Sequence, residues 1–219
     1  MEQQVRIYII GAQCTGKTTL INALETHFSE PVNRDWDGNS SNPPNVIKEV
    51  ARSVLREHSF IASDITNSRT RCLQLQELIL KAQHSAELET NWSWYLSDRS
   101  GLDPVVYATI YVGPDEAMAL MESQEFQELK ERMRNSLVIL CEAGVLWLTD
   151  DGVRLMPKDN EDWMRVHQTF CELLVLNDIR YNVISKDMTN LDDRVQLVTK
   201  LWKNFNVDTR KLSGYIEME

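Results

Sequence analysis

The sequence has no run of lysine or arginine, no apolar stretch long enough to cross a bilayer, and no cysteines paired at metal-binding spacing. Each absence excludes something. The formal net charge is −10, from 33 acidic and 23 basic residues. Without a basic patch, that balance argues against a nucleic-acid or anionic-membrane partner. No signal-like apolar segment precedes the first strand, so cytoplasmic localisation is the expectation. Cys14, Cys72, Cys141 and Cys171 read as free thiols of a reducing compartment. No internal repeat is visible, and 219 residues suit one domain with a substantial core.

Against these absences stands one strong motif. Gly11-Ala12-Gln13-Cys14-Thr15-Gly16-Lys17-Thr18 fits G-x-x-x-x-G-K-[ST], the phosphate-binding loop. Its flanks suit it. Val5–Ile10 is an apolar, β-branched run of strand length, and Thr19–Leu24 continues as a helix with Leu20, Ala23 and Leu24 on one face. Glycines let backbone N–H groups turn inward around phosphate oxygens, and the helix N-terminus adds partial positive charge. Gly11 through Thr19 are therefore the expected nucleotide-binding residues. Lys17 is expected on the β- and γ-phosphates and the Thr18 hydroxyl on Mg²⁺. Cys14, inside the nest of N–H groups, is either an activated thiol or a small packing residue.

Strand-length apolar runs recur at Asn45–Lys48, Trp92–Ser97, Ser136–Cys141 and Arg180–Ser185. Helical patterns separate them, at residues 50–57, 71–90, 115–134 and 161–176, with a last one from Leu191 to Trp202. Asp103-Pro104 reads as a cap and first-turn proline opening a further helix. In residues 71–90 the expected apolar residues are Leu73, Leu78, Ile79 and Leu88; Trp163 and Trp202 belong to core faces. The alternation predicts an α/β fold, a five-stranded, mostly parallel sheet with helices on both faces and ligands at the carboxyl ends of the strands. One P-loop domain over residues 1–206 is expected, with a long polar loop at 29–44, a lid at 143–160 and a peripheral tail at 207–219.

The segment Trp94-Tyr95-Leu96-Ser97-Asp98-Arg99 ends an apolar strand in an acid. A carboxylate there would organise Mg²⁺ with Thr18, and Arg99 would place a guanidinium at the same edge of the cleft. Gln74 and Gln76 could hydrogen-bond a base or amide, or simply meet solvent.

The P-loop, Glu49-Val50-Ala51-Arg52, Leu73-Gln74-Leu75-Gln76, Ser97-Asp98-Arg99, Asp151-Gly152-Val153-Arg154 and Asp192-Asp193-Arg194-Val195 follow in that order. This order over residues 4–204 resembles the NadR-type AAA-domain group, related to ribosylnicotinamide kinases and the wider nucleoside and nucleotide kinases. The resemblance implies a nucleoside triphosphate, ATP or GTP, with Mg²⁺, and a small-molecule acceptor. It places Glu49 near the acceptor, Asp98 near Mg²⁺ and the attacking hydroxyl, and Arg154 as a lid arginine over the transferring phosphate. Lys158 and Arg165 are lesser lid candidates. Glu49 has a rival reading as a first-turn acid favoured by the helix dipole, and whether Glu49 or Asp98 is the base stays open. The implied activity is a kinase acting on a nucleoside-like hydroxyl, with Lys17, Glu49, Asp98, Arg99 and Arg154 as its catalytic set. The alternatives are a GTP- or ATP-binding regulatory NTPase and a nucleotide-binding pseudoenzyme. Asp98-Arg99-Ser100-Gly101 satisfies the D-x-x-G pattern of GTPases, but no N-K-x-D segment follows at a later strand end.

Overall fold

The computed structural model describes residues 6–34, 42–90, 94–145 and 156–216. In chain order the elements are β1 (Ile7–Ile10), α1 (Lys17–Ser29), α2 (Pro31–Arg34), β2 (Asn45–Ile47) and α3 (Val50–Glu57). Then come α4 (Ala62–Asn67), α5 (Arg69–Glu89), β3 (Tyr95–Asp98), α6 (Leu102–Tyr111), α7 (Pro114–Glu122) and α8 (Gln124–Arg134). β4 (Leu137–Cys141), α9 (Asn160–Leu176), β5 (Asn182–Ile184) and α10 (Leu191–Ile216) complete the chain. The five strands form one sheet in the order β2-β3-β1-β4-β5, and every pairing is parallel. The expected α/β architecture is what the chain adopts.

Strand β1 is buried along its whole length, as the central strand of a sheet covered on both faces must be. Its side chains alternate. Ile7 and Ile9 join Leu20, Leu24, Phe28, Val198 and Trp202 in one core, under α1 and α10. Tyr8 and Ile10 join the opposite core, with Leu75, Val105, Phe126 and Phe170 from α5, α6, α8 and α9. In the first core the indoles of Trp94 and Trp202 stack with centroids 5.4 Å apart, and Phe28 packs edge-on against both. The register sets Ile9 beside Asp98 and Ile10 beside Leu140. The loop leaving β1 therefore emerges at the same edge as the tips of β3 and β4.

Five expectations about the elements need correction. The helix expected over 115–134 is two, α7 and α8. Ser123 between them is extended, and its Oγ accepts from the Phe126 backbone N–H to cap α8. The cap of α6 is Gly101; Asp103 lies inside the first turn, where its Oδ2 accepts from the N–H and hydroxyl of Ser100 at 2.8 and 2.9 Å. Helix α5 turns Cys72, Leu75, Gln76, Gln83 and Glu87 inward, whereas Leu88 is 47% exposed. Helix α10 runs through Ile216, so its backbone extends ten residues into the expected tail. Of the loop at 29–44, residues 31–34 form α2 and residues 35–41 lie outside the described residues.

Candidate functional site

The phosphate loop holds its shape through close backbone approach. Gly11 has φ +130°, and a Cβ there would stand 2.6 Å from the Cys141 carbonyl oxygen. Only glycine fits. Gly16, at φ 83°, turns the chain into α1. Inside the loop the Thr15 hydroxyl donates to the Ala12 carbonyl at 3.0 Å. The Lys17 ammonium folds back onto the same carbonyl at 2.5 Å, with Thr15 Oγ1 3.4 Å away. Lys17 is buried, and that burial, reinforced by the nearby Arg99 guanidinium, lowers its pKa from 10.5 to about 8. A buried ammonium held on a loop carbonyl can exchange that carbonyl for an anionic oxygen. Cys14 is buried, with Sγ 3.8 Å from the Met156 sulfur, so the packing supports the small-residue reading of this cysteine. Thr19 is exposed.

Two long-range contacts anchor the loop from outside. Trp163 Nε1 donates to the Gln13 carbonyl at 2.9 Å. The buried Arg194, in the first turn of α10, donates to the Thr15 carbonyl at 3.1 Å and to the Met188 carbonyl at 2.7 Å. Sequence reasoning assigned Trp163 to the core, correctly, but missed its hydrogen bond and missed Arg194 as a support. The Asp192-Asp193-Arg194-Val195 segment carried the signal for the latter.

Asp98 ends β3 beside the loop. The Thr18 hydroxyl donates to its Oδ2 at 2.6 Å, while Oδ1 is buried and has no hydrogen-bond partner among the described residues. A hydroxyl and a carboxylate with an oxygen to spare form the donor set of a hard divalent cation that keeps most of its waters. No cluster of three or more His, Cys, Asp or Glu exists among the described residues that could hold a metal.

Arg99 follows with φ 93°, a left-handed conformation that a non-glycine residue rarely adopts. Its N–H donates to the Ile9 carbonyl at 3.1 Å, and the turn sends its side chain between two acids. Arg99 Nε and Nη2 each lie 2.7 Å from Glu49 Oε1, and Nη1 lies 3.1 Å from Asp103 Oδ1. Burial works against the charge, but Glu49, Tyr107, Asp103 and Asp98 outweigh it and hold the guanidinium protonated. Glu49 occupies the N-cap position of α3 without capping it. Its second oxygen accepts from Arg52 Nε at 2.8 Å, so the first-turn acid reading gives way to a carboxylate shared by two guanidiniums.

These residues line one cavity of about 630 Å³ of free space, its open mouth included. Glu49, Arg52, Arg99, Asp103 and Gln13 form its polar end, and Leu55, Ile65, Leu75, Ile79, Pro104 and Tyr107 its apolar body. Gln76 is buried in this wall, whereas Gln74 is exposed; the structure separates the two glutamines. Gln13 Oε1 accepts from the Tyr107 hydroxyl at 3.1 Å. Burial raises the Tyr107 pKa, keeping that proton on the phenol. Arg165 is half exposed and pairs with Asp162 at 2.8 Å. The side chain of Lys158 has no described role, and Arg154, with most of the expected lid, lies outside the described residues.

Residues 6–194 match a family model described as an AAA domain. No protein of curated function matches the sequence. Among solved structures, deoxyadenosine kinase from M. mycoides superposes with TM-score 0.60 at 13% identity, over 91% of this chain and 99% of that one. NadR protein in complex with NR gives TM-score 0.60 at 18% identity, over 90% of this chain but only 49% of its own. Thymidylate kinase from Candida albicans gives 0.56 at 17% identity, over 94% and 93% of the two chains. At these identities the likeness is one of fold. No helix among the described residues is long and apolar enough to cross a membrane.

Proposed function

Since the chain belongs to the AAA-domain family, and its fold is that of P-loop kinases, we propose that it is an ATP-dependent small-molecule kinase. The terminal phosphoryl of Mg–ATP passes to a hydroxyl of a nucleoside-like acceptor, in the manner of the NadR-type group. One observation carries the reading: Gln13 of the phosphate loop and Arg99, the residue after the Thr18-bonded Asp98, both line the Glu49-walled cavity. Gly11 to Thr18 cradle the phosphates, and Lys17 transfers from the Ala12 carbonyl to them. Thr18 and Asp98 would hold Mg²⁺, which supplies charge neutralisation on the phosphate oxygens. Position supports a division of roles between the two acids. Asp98 is committed to Thr18 and the metal side, while Glu49 lines the cavity and orients the acceptor hydroxyl. Arg99, fixed by Glu49 and Asp103, supplies fixed positive charge beside the transfer path. Arg154 remains proposed as the closing lid arginine. Nucleoside and nucleotide acceptors in the named deoxyadenosine and thymidylate kinases support a nucleoside-like acceptor, whose body the apolar wall and Gln76 would receive.

The regulatory NTPase reading loses its best support. Gly101, the glycine of the D-x-x-G match, caps α6 and packs against the Leu129 side chain, where a Cβ would come within 2.6 Å. Packing explains that glycine. The test is incubation with Mg–ATP or Mg–GTP and a nucleoside panel that includes nicotinamide riboside. Acceptor-dependent appearance of a phosphorylated product is the expected outcome; hydrolysis indifferent to every acceptor would refute the kinase in favour of a switch.

A further inference from the structure

Gln13 sits where the two halves of the site meet. Its backbone belongs to the phosphate loop, its carbonyl is fixed by Trp163, and its side chain lines the acceptor cavity with Glu49, Arg99 and Asp103. The residue is 2% exposed. Its carboxamide oxygen is held by the Tyr107 hydroxyl, yet its Nε2 has no hydrogen-bond partner among the described residues and is shielded from solvent. An amide donor withdrawn from water and left unbonded costs free energy, which a partner arriving with a ligand would recover. Nε2 can only donate, so that partner is an oxygen. The group that must lie between a phosphate cradle and an acceptor cavity is the phosphoryl group in transit.

The geometry points to the Gln13 carboxamide as a specificity-determining contact: its Nε2 donates to an oxygen of the terminal phosphoryl group and so distinguishes a triphosphate from a diphosphate. This rests on the kinase reading of the cleft and adds to it a side chain from a variable position of the loop. Tyr107 is the positioning residue, because its hydroxyl fixes which end of the amide faces the phosphate.

Calorimetry with Mg²⁺ and a non-hydrolysable triphosphate, set against the diphosphate, tests this without turnover. Gln13→Leu should shrink the triphosphate-to-diphosphate affinity ratio by about tenfold or more, the size expected for a hydrogen bond to a charged group. Diphosphate affinity should hold, reporting an intact cradle. Gln13→Glu should shrink the ratio further by placing like charge against phosphate. Tyr107→Phe, which keeps the ring and its packing, should shrink it by a smaller factor, since the amide is then free to turn. An unchanged ratio in both Gln13→Leu and Tyr107→Phe overturns the assignment, as does weakened nucleoside binding with the ratio intact, which would put Nε2 on the acceptor instead. If Gln13→Leu does not fold, an unchanged ratio in Tyr107→Phe is sufficient to overturn it. A wild-type protein that binds neither nucleotide fails at the earlier step, the nucleotide site itself.

Discussion

Two glutamates are buried on the same side of the sheet and live in opposite chemistry. Glu49, at the carboxyl edge, gives each oxygen to a guanidinium, Arg99 at 2.7 Å and Arg52 at 2.8 Å. Glu87, near the end of α5, meets two phenols: Tyr8 and Tyr95 hydroxyls each lie 2.7 Å from its Oε2 and 2.6 Å from one another. Gln83 Nε2 holds the other oxygen at 2.9 Å, and Arg132 stands off at 3.7 Å. Burial pushes the Glu87 pKa up, against the opposing pull of Gln83, the two phenols and Arg132. The Glu49 cluster is built on guanidiniums in contact; the Glu87 carboxyl is enclosed by hydroxyls and an amide. Beside the first stands an unmet donor on the cavity wall, Gln13 Nε2; the second closes on itself apart from the oxygen of Gln83. Unmet polar atoms beside a cavity mark a place for a ligand, and a closed ring of hydroxyls marks structure.

The largest effect expected to sharpen this contrast is at the ionic edge. Asp98→Asn keeps the shape but loses the charge that organises Mg²⁺, so turnover should fall about a thousandfold, roughly 4 kcal/mol of barrier. Nucleotide affinity should change little. Steady-state kinetics across a Mg²⁺ titration checks it, and equal rates at every concentration would contradict the role.

Next in size is the Glu87 cluster, where stability rather than rate should respond. Glu87→Ala leaves two buried phenols and an amide short of a partner and should cost about 3 kcal/mol. Glu87→Gln keeps a neutral hydrogen-bonding group. A carboxyl whose folded pKa is raised binds more protons folded than unfolded, so its stabilising contribution is full below the ordinary value of about 4.5 and is lost as pH rises above it. Glu87→Gln should therefore gain on the wild type between pH 5 and 8. Urea unfolding at both ends of that range measures it; a constant difference would mean that Glu87 is ionised in the fold.

Lys17 should give a smaller, pH-borne effect. With a pKa lowered to about 8, the ammonium is charged below that pH and neutral above it. Triphosphate affinity should be flat up to about pH 8 and then fall by up to tenfold per pH unit, about 1.4 kcal/mol each. Titration calorimetry from pH 7 to 9.5 reads this directly, and Lys17→Ala should remove the pH dependence together with most of the affinity. The smallest effect belongs to Arg165. Half exposed, paired with Asp162 and lying over the Tyr111 ring 5.7 Å from its centroid, it should cost about 0.5–1 kcal/mol on replacement by alanine and leave turnover within about twofold. A large loss of rate would restore it to the lid.

What could be read in advance follows a physical line. A phosphate loop is a backbone device, and its glycines, lysine and hydroxyl fall at fixed local spacing, so it was legible. Asp98 at a strand tip and the buried face of Trp163, Val166, Phe170 and Leu173 were legible for the same reason: period and position are local. Gln83 and Glu87 were not, because a polar residue on a helix reads as solvated unless its partner is known, and Tyr8 lies 79 residues away. The supports of the loop were hidden in the same way, Trp163 reaching back 150 residues and Arg194 179. Ser123 shows a local failure, where one capping hydroxyl outweighed a helical pattern that ran on through it.

The stacked pair of Trp94 and Trp202 has an optical meaning. Two indoles in contact couple their electronic transitions, and the near-ultraviolet circular dichroism of the protein should carry a strong signal set by their mutual angle. Trp202 rides on α10, whose first turn supplies Arg194 to the phosphate loop, and Phe28, edge-on to both indoles, lies in the last turn of the helix that the loop begins. Any rearrangement of the loop that shifts either helix passes through that stack. The molecule thus contains its own spectroscopic gauge of the nucleotide site, readable without a label and without an active substrate.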